Sequence, residues 1–263
     1  MAAWGWRIHP YPGGCSKGRV IQRSLVVATD VARLRLLDGF ELSCNGEPVR
    51  LPLTAQRLLA YLALQDRPHS RMRVAFSLWP GASEPHAYGS LRSALHRLQA
   101  SGYPLATVMM GELALGAEVS VDIHERLALV ERLLAGESDD AELELGLVLL
   151  GGELLPDWFD DWALLERERY RELRLRALET ICERELRAGR PGRAVRAGKA
   201  AVLVEPLRDS ARRALIRARL AEGNKAEALA EYRDFARELH DRLGLQPSGE
   251  MTGLVRDLGV PLP

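Results

Sequence analysis

Two glycine-containing segments in the second half of the chain constrain its fold more than any other feature. Residues 189–195 read GRPGRAV and residues 223–229 read GNKAEAL, so their first glycines stand 34 residues apart. In each segment the glycine can end one helix, and the alanine that follows lets the next helix pack closely. This spacing is the period of the tetratricopeptide repeat, which stacks pairs of helices. It predicts an all-α, tetratricopeptide-like region in a chain of 263 residues, which is long enough for a second domain.

The chain ahead of this helical region alternates apolar and polar residues, which is typical of β-strands. The alternation runs from Leu34 to Cys44, stops at Asn45-Gly46 and resumes at Val49. Asparagine and glycine both tolerate positive φ, so this pair between alternating runs is a strong hairpin signal. The pattern predicts a small antiparallel sheet at the start of a domain.

Three helical stretches follow the predicted sheet. Thr54 and Ser70 each precede a run with helical spacing, so each can cap a helix. A third helix is expected after the polar turn Ser83-Glu84-Pro85 and runs to about Ala100. The apolar positions expected on the core face of the second helix are Met72, Ala75, Phe76 and Trp79. A second short hairpin is expected around Gly111.

These elements together predict a mixed fold. A sheet, three helices and a hairpin, in that order, favour an α+β winged helix-turn-helix with an N-terminal β-sheet. We expect a flexible leader over residues 1–30, the winged helix-turn-helix over 31–120, and the all-α tetratricopeptide-like domain over 121–263.

The third helix carries the main candidates for a functional role. Its apolar residues share one face, at i, i+3, i+4 and i+7: Leu91, Ala94, Leu95 and Leu98. The candidate DNA contacts on the other face are Arg92, Ser93, His96 and Arg97, with Ser90 near the N-terminal end. Arginine can bind guanine O6 and N7 together, while serine and histidine reach bases or phosphates. Taken alone, the pattern fits an ordinary amphipathic surface helix somewhat better, and it is the order of the surrounding elements that favours a recognition helix.

The start of the first helix is a second candidate contact with DNA. Backbone N–H groups at a helix N-terminus are a natural phosphate anchor, and Thr54, Gln56 and Arg57 can add side-chain contacts. A simple capping role explains Thr54 equally well.

Charge and cysteine content narrow the classes of protein. The net charge is zero, but residues 1–120 sum to +5 and residues 121–263 to −5, which suits a DNA-facing N-terminal part. The three widely spaced cysteines fit a reducing cytoplasm better than a disulfide framework or a zinc site. No stretch approaches the roughly 20 apolar residues that span a bilayer. We therefore expect a cytoplasmic protein without membrane contact.

No arrangement of residues predicts an enzyme, a cofactor or a metal site. The adjacent carboxylates Asp139-Asp140 and Asp160-Asp161 lie where aspartate caps of helices are routine. Cys182 stands alone on a charged helix, and nothing assembles a nucleophile, a base and an oxyanion site.

Several longer strings stand in a fixed order over residues 34–258. The N-terminal strings are QRLLAYLAL at 56–64, LWP at 78–80 and LRSALHRL at 91–98. The C-terminal strings are ER at 168–169, LRLRALE at 173–179, EPLR at 205–208, AEALAEY at 226–232 and LGLQP at 243–247. In this order they resemble the Streptomyces antibiotic regulatory protein family, whose members join a response-regulator-type winged helix to a bacterial transcriptional activator domain.

This resemblance implies a transcriptional activator. It implies binding of double-stranded DNA at direct repeats near a promoter, often by two protomers, and therefore a homodimer at least on DNA. It also implies contact with RNA polymerase and its sigma factor. It places Arg92, Ser93, His96 and Arg97 in the major groove, and the hairpin after Tyr103 near the minor groove.

The sequence departs from the family pattern in two places. Residues 105–115 contain no Lys or Arg, and Tyr88-Gly89 stands where relatives tend to carry basic or polar residues. Gly89 weakens the start of the helix by up to about 1 kcal/mol. These departures predict low affinity for a single protomer and a dependence on paired binding.

A protein-interaction scaffold with a degenerate winged helix is the alternative. Tetratricopeptide-like domains present concave grooves to peptides, and Trp158, Phe159 and Trp162 can line such a groove. A role for these aromatic residues in sealing the junction between the domains fits them better.

Overall fold

The structure is a computed structural model that describes residues 32–65 and 67–256. The predicted leader over residues 1–30 lies outside the described residues. The described chain divides into two units: Glu153–Arg167 groups with the residues up to Glu125, and Arg126–Gly152 groups with the residues from Glu168 on. The predicted order of a small N-terminal sheet followed by a helical region is confirmed.

The first unit contains the described β-strands and three of the described helices in full. In chain order these are β1 (Ala32–Arg35), β2 (Glu41–Cys44), β3 (Glu47–Pro48), α1 (Leu53–Ala63), β4 (His69–Ser70), α2 (Arg71–Leu78), α3 (Glu84–Gln99), β5 (Ala106–Met109), β6 (Glu112–Leu115) and β7 (Val119–Val121).

The N-terminal sheet has the strand order β3-β2-β1-β7. The hairpin predicted at Asn45-Gly46 is confirmed, with φ of 51° and 85° at these two residues. Strand β7 pairs with β1 in parallel, an addition that the sequence did not predict because 83 residues lie between the end of one strand and the start of the other. A second sheet has the order β4-β6-β5 and contains the hairpin predicted around Gly111.

The start of α1 differs from the prediction. The helix begins at Leu53, and Pro52 rather than Thr54 occupies the capping position. The carbonyl of Pro52 accepts hydrogen bonds from the N–H groups of Ala55 and Gln56. Proline already has the φ that the chain needs at this point, so the helix starts one residue before Thr54 and leaves that side chain exposed.

Helix α2 confirms one prediction and corrects another. Ser70 caps the helix, since its hydroxyl accepts a hydrogen bond from the N–H of Arg73. Its buried face consists of Val74, Ala75 and Leu78. The expected core residues Met72 and Phe76 are 57% and 38% exposed. A helix of eight residues has one narrow buried stripe, and here this stripe contains Val74 and Leu78 in place of Met72 and Phe76.

The second unit is built from helices. In chain order the remaining helices are α4 (Asp122–Ala135), α5 (Asp140–Leu149), α6 (Asp161–Arg187), α7 (Pro191–Val204), α8 (Asp209–Ala221), α9 (Lys225–Leu243) and α10 (Gly249–Arg256). Helices α4 and α6 have residues in both units.

The turns at Gly189 and Gly223 have the same backbone structure. The two glycines have φ of 69° and 87°, where an L side chain is unfavourable. Just after each glycine, the N–H of Arg190 bonds to Glu185 O and the N–H of Asn224 bonds to Arg219 O, both at 2.9 Å. These are the 6→1 hydrogen bonds of the Schellman motif, which ends a helix. The 34-residue spacing therefore corresponds to a repeated turn.

Close helix packing in this unit depends on a glycine inside α7. A Cβ placed on Gly198 would stand 2.9 Å from Leu215 Cα of α8. The two backbones thus approach at a distance that only glycine allows. Around this contact lies a buried core with members on α4 to α8, including Leu133, Leu178 and Ile181.

Candidate nucleic-acid interface

Helix α3 has the two faces that the sequence predicts. Leu91, Ala94, Leu95 and Leu98 are buried, while Arg92, Ser93, His96 and Arg97 are exposed and Ser90 is half-buried. The buried face packs on α1 and α2. No described residue covers the opposite face, which is therefore accessible to a ligand.

The arginines on the exposed face of α3 have no charged partner among the described residues. Neither Arg92 nor Arg97 forms an ion pair or donates a hydrogen bond to any described residue. In the second unit, by contrast, Arg212 pairs with Glu231 and Glu238 at 3.1 and 3.0 Å. An unpaired guanidinium can bind a phosphate or a guanine without first losing an intramolecular partner.

The smaller polar residues of α3 are also accessible. The Ser93 hydroxyl donates to Gly89 O at 3.0 Å, which leaves its oxygen free to accept. A Cβ on Gly89 would stand 4.0 Å from the Arg92 Nη2 atom, so the Arg92 side chain extends back along the helix towards its N-terminal end. Side chains of several lengths thus present hydrogen-bond donors and acceptors on one exposed face of α3.

The three residues expected to bind DNA at the start of α1 have different environments. Thr54 is exposed at the helix end. Gln56 Nε2 donates to Leu51 O at 2.7 Å. Arg57 donates to Leu78 O at 2.8 Å and forms an ion pair with Asp160. The surroundings of Gln56 and Arg57 favour structural roles, while Thr54 remains accessible.

Arg57 is also packed against an aromatic ring. Its guanidinium carbon lies 6.0 Å from the centre of the Trp79 ring, and its side chain is 20% exposed. The Arg57 guanidinium therefore connects α1, the end of α2 and the segment that contains Asp160.

The β5–β6 hairpin has an apolar tip. Met109 is 65% exposed and Met110 102% exposed, and Met110 has φ of 48°. Residues 105–115 carry a single charge, at Glu112. A hairpin of this composition offers no positively charged side chain to a phosphate.

Two arginines that the sequence analysis did not single out lie next to this hairpin. Arg71 and Arg73 stand in the first turn of α2, directly after Ser70 of β4. Neither forms an ion pair with a residue in the described ranges. The available signal was the Arg-x-Arg pattern directly after a capping serine, at a helix start where acidic residues are normally favoured.

The aromatic residues considered for a peptide groove pack mainly within the first unit. Trp158 stacks on Phe40 with ring centres 5.9 Å apart, and Trp162 meets Tyr61 edge-on at 5.5 Å. Phe159 is 78% exposed. Two of the three aromatic side chains are thus used in packing around the N-terminal sheet and α1.

The paired aspartates have structural partners. Asp139 caps α5 by accepting from the N–H of Glu142 at 2.8 Å, and Asp160 pairs with Arg57. Over residues 32–65 and 67–256, no group of three or more His, Cys, Asp or Glu side chains could hold a metal ion. In the same ranges, every helix is too short or too polar to cross a membrane.

Residues 121–258 match the family described as bacterial transcriptional activator domain. The chain is 27% identical over 240 residues to Regulatory protein AfsR of Streptomyces griseus, covering 86% of this chain and 24% of that protein. It is 30% identical over 218 residues to Regulatory protein AfsR of Streptomyces coelicolor, covering 77% of this chain and 22% of that protein. The chain thus spans less than a quarter of the length of these two relatives.

A solved structure has a similar fold. Mycobacterium tuberculosis EmbR in complex with low affinity phosphopeptide superimposes with a TM-score of 0.65 at 21% identity. The match covers 89% of this chain and 66% of the EmbR chain. It extends over both kinds of structure found here, the small sheet and the helical region that follows it.

Proposed function

We propose, from the premise that this chain belongs to the bacterial transcriptional activator domain family, that it regulates transcription by binding specific DNA sequences. Its similarity to Regulatory protein AfsR from two Streptomyces species confirms the predicted resemblance to the Streptomyces antibiotic regulatory protein family. As a family member it is a regulator of the transcriptional activator type.

The first unit is proposed to be a winged helix-turn-helix of the response-regulator type. In this assignment α2 and α3 form the helix-turn-helix, β5–β6 is the wing, and the β3-β2-β1-β7 sheet is the N-terminal sheet. The observation that carries the proposal is the exposed face of α3, where Arg92 and Arg97 have no ion pair with a described residue. Such a face suits the major groove, where arginine reads guanine.

Ser90, Arg92, Ser93, His96 and Arg97 are proposed to contact DNA from α3. Thr54 adds a phosphate contact at the start of α1, where the N–H groups of the first turn point out of the helix. Gln56 and Arg57 belong to the same predicted set, but their present partners favour an indirect role in positioning α1.

The second unit is proposed to be tetratricopeptide-like and to contact RNA polymerase and its sigma factor. The repeated turns at Gly189 and Gly223 support the fold assignment. The resemblance to the family supports the polymerase contact, the binding of two protomers to direct repeats, and action in the cytoplasm.

The test is the selection of bound DNA. Purified protein is incubated with fragmented DNA from the genome that encodes it, and bound fragments are recovered and sequenced. We expect enrichment of a few fragments that share a direct repeat. The Arg92→Ala/Arg97→Ala variant should lose this selectivity, at a cost of about 1–3 kcal/mol for each bidentate base contact removed.

The matched control is Arg237→Ala. Arg237 is exposed on α9 of the second unit and pairs with Asp234 at 2.8 Å, so its loss removes one positive charge that is not on α3. This variant should select the same fragments as the wild type. If the wild type enriches nothing even at low salt, the DNA-binding proposal is wrong, and a scaffold role for the helical unit becomes the better explanation.

A further inference from the structure

The tip of the β5–β6 hairpin and the start of α2 form one surface feature. Strand β6 lies between the two: Ser70 of β4 and Met109 of β5 both stand opposite Glu112. Neighbouring strands are about 5 Å apart, so Ser70 and Met109 lie roughly 10 Å from each other across β6. Arg71 and Arg73 follow Ser70 in the first turn of α2, beside the same end of the hairpin. We call Met109, Met110, Arg71 and Arg73 the tip cluster.

The apolar half of the tip cluster is costly to keep in water. Val108, Met109 and Met110 are three consecutive exposed apolar residues, at 43%, 65% and 102% exposure. Soluble proteins avoid such runs unless they serve binding. Among the described residues, nothing covers this tip.

The backbone at the tip is also unfavourable for its residue. Met110 and Gly111 have φ of 48° and 83°, the left-handed values of a two-residue hairpin turn that asparagine and glycine normally occupy. A methionine there is uncommon and costs free energy. Asparagine would give a more stable turn, so the choice of methionine points to a role for the side chain itself.

The basic half of the tip cluster supplies attraction to DNA. Arg71 is half-buried and Arg73 exposed, and both guanidinium groups lack an ion pair within the described ranges. Phosphates can therefore bind beside the tip, although the hairpin itself, with Glu112 as its only charge, supplies no cation for them.

We propose that Met109 and Met110 act as an apolar wedge that enters between base pairs and bends the DNA, with Arg71 and Arg73 binding the flanking phosphates. The inference rests on the proposed DNA-binding function. Proteins that kink DNA insert side chains of this kind, methionine included, between base steps. An apolar tip beside unpaired arginines fits a duplex, whose stacked bases lie between two rows of phosphates. A protein partner for the tip is the competing outcome.

The test measures DNA bending on a fragment recovered by the wild-type protein. Fluorescence energy transfer between dyes at the two ends of the fragment reports the bend, which for wedge proteins is about 20–90°. In the Met109→Ser/Met110→Asn variant the bend should be lost and the affinity should fall about tenfold, while the salt dependence is retained because no phosphate contact is removed. Separately, Arg71→Gln should lower the log–log salt slope by about 0.9.

Two controls separate the wedge from a folding defect. The thermal midpoint of the double variant should equal or exceed that of the wild type, since asparagine suits the φ of residue 110. Leu203→Ser removes an exposed apolar side chain, 81% exposed, from α7 of the second unit, and it should leave the bend unchanged.

The outcomes are distinguishable. A wild type that binds the fragment without bending it, or a double variant that bends it as the wild type does, overturns the wedge and assigns the tip to a protein partner, while the DNA-binding function stands. A wild type that selects no fragment at all overturns the function and the wedge together.

Discussion

Arg57 shows how one residue type serves two purposes within the first unit. Arg92 presents its guanidinium to solvent, whereas Arg57 donates to Leu78 O, pairs with Asp160 and lies over Trp79. The sequence predicts a DNA contact for both arginines, Arg92 on the exposed face of α3 and Arg57 at the start of α1. Their difference depends on Asp160, which stands 103 residues after Arg57.

We expect Arg57→Gln to lower the free energy of unfolding by about 1–3 kcal/mol, because it leaves Asp160 and Leu78 O without their donor. Thr54→Val, at an exposed position, should change stability by less than about 0.5 kcal/mol and weaken DNA binding instead. Urea unfolding and binding titrations on both variants give the comparison. An Arg57→Gln protein of unchanged stability with a reduced salt slope would make Arg57 a DNA contact.

Cys182 makes the free energy of unfolding depend on pH in the alkaline range. Burial raises the pKa of its thiol from the ordinary 9.0 to about 12, with Glu183 and Glu179 adding to the shift. The folded protein therefore holds a proton that the unfolded chain releases, so this stabilisation is complete below pH 9.0 and is lost as the pH rises towards 12. We expect Cys182→Ala to lose less stability than the wild type between these limits. Equal losses in both proteins, measured by urea unfolding at each pH, would contradict the assignment.

At the scale of elements, the contact between α7 and α8 makes the sharpest prediction. Gly198→Ala places a Cβ 2.9 Å from the Leu215 backbone, so the helices must move apart, at a cost of about 1–3 kcal/mol for overpacking. Gly192→Ala on the same helix meets only the Glu222 side chain, at 3.7 Å. That control should be neutral or stabilising by up to about 1 kcal/mol. Equal effects of the two variants on the thermal midpoint would argue against the close approach.

The elements that the sequence predicted well are those whose signals are local. Asn45-Gly46 and Ser70 act through bonds within a few residues, and the faces of α3 follow from its period. Strand β7 and the ion pair of Asp160 were not predicted, because each depends on a partner far along the chain. Pro52 displaced the expected cap at Thr54, since two adjacent helix-start signals compete and the sequence alone does not rank them.

At the scale of the whole molecule, the first unit is discontinuous in sequence. Leu155 N bonds to Leu36 O at 2.9 Å, Trp158 stacks on Phe40, and Asp160 pairs with Arg57. A fragment that ends at residue 125 would therefore expose apolar surface and lose these bonds. We expect it to unfold at a lower temperature than a fragment that ends at residue 167, as followed by near-ultraviolet circular dichroism. Equal midpoints would show that residues 153–167 add nothing to the unit.

The same discontinuity sets the order in which the protein can mature on the ribosome. Domains usually fold in the order of their synthesis, but here the strands and helices of the first unit emerge before the segment that completes them. Residues 126–152, including most of α4 and all of α5, are translated in the interval. We therefore expect the nascent chain to complete its first unit only after part of the second unit has left the exit tunnel, so a product that stops before residue 153 would lack a complete first unit.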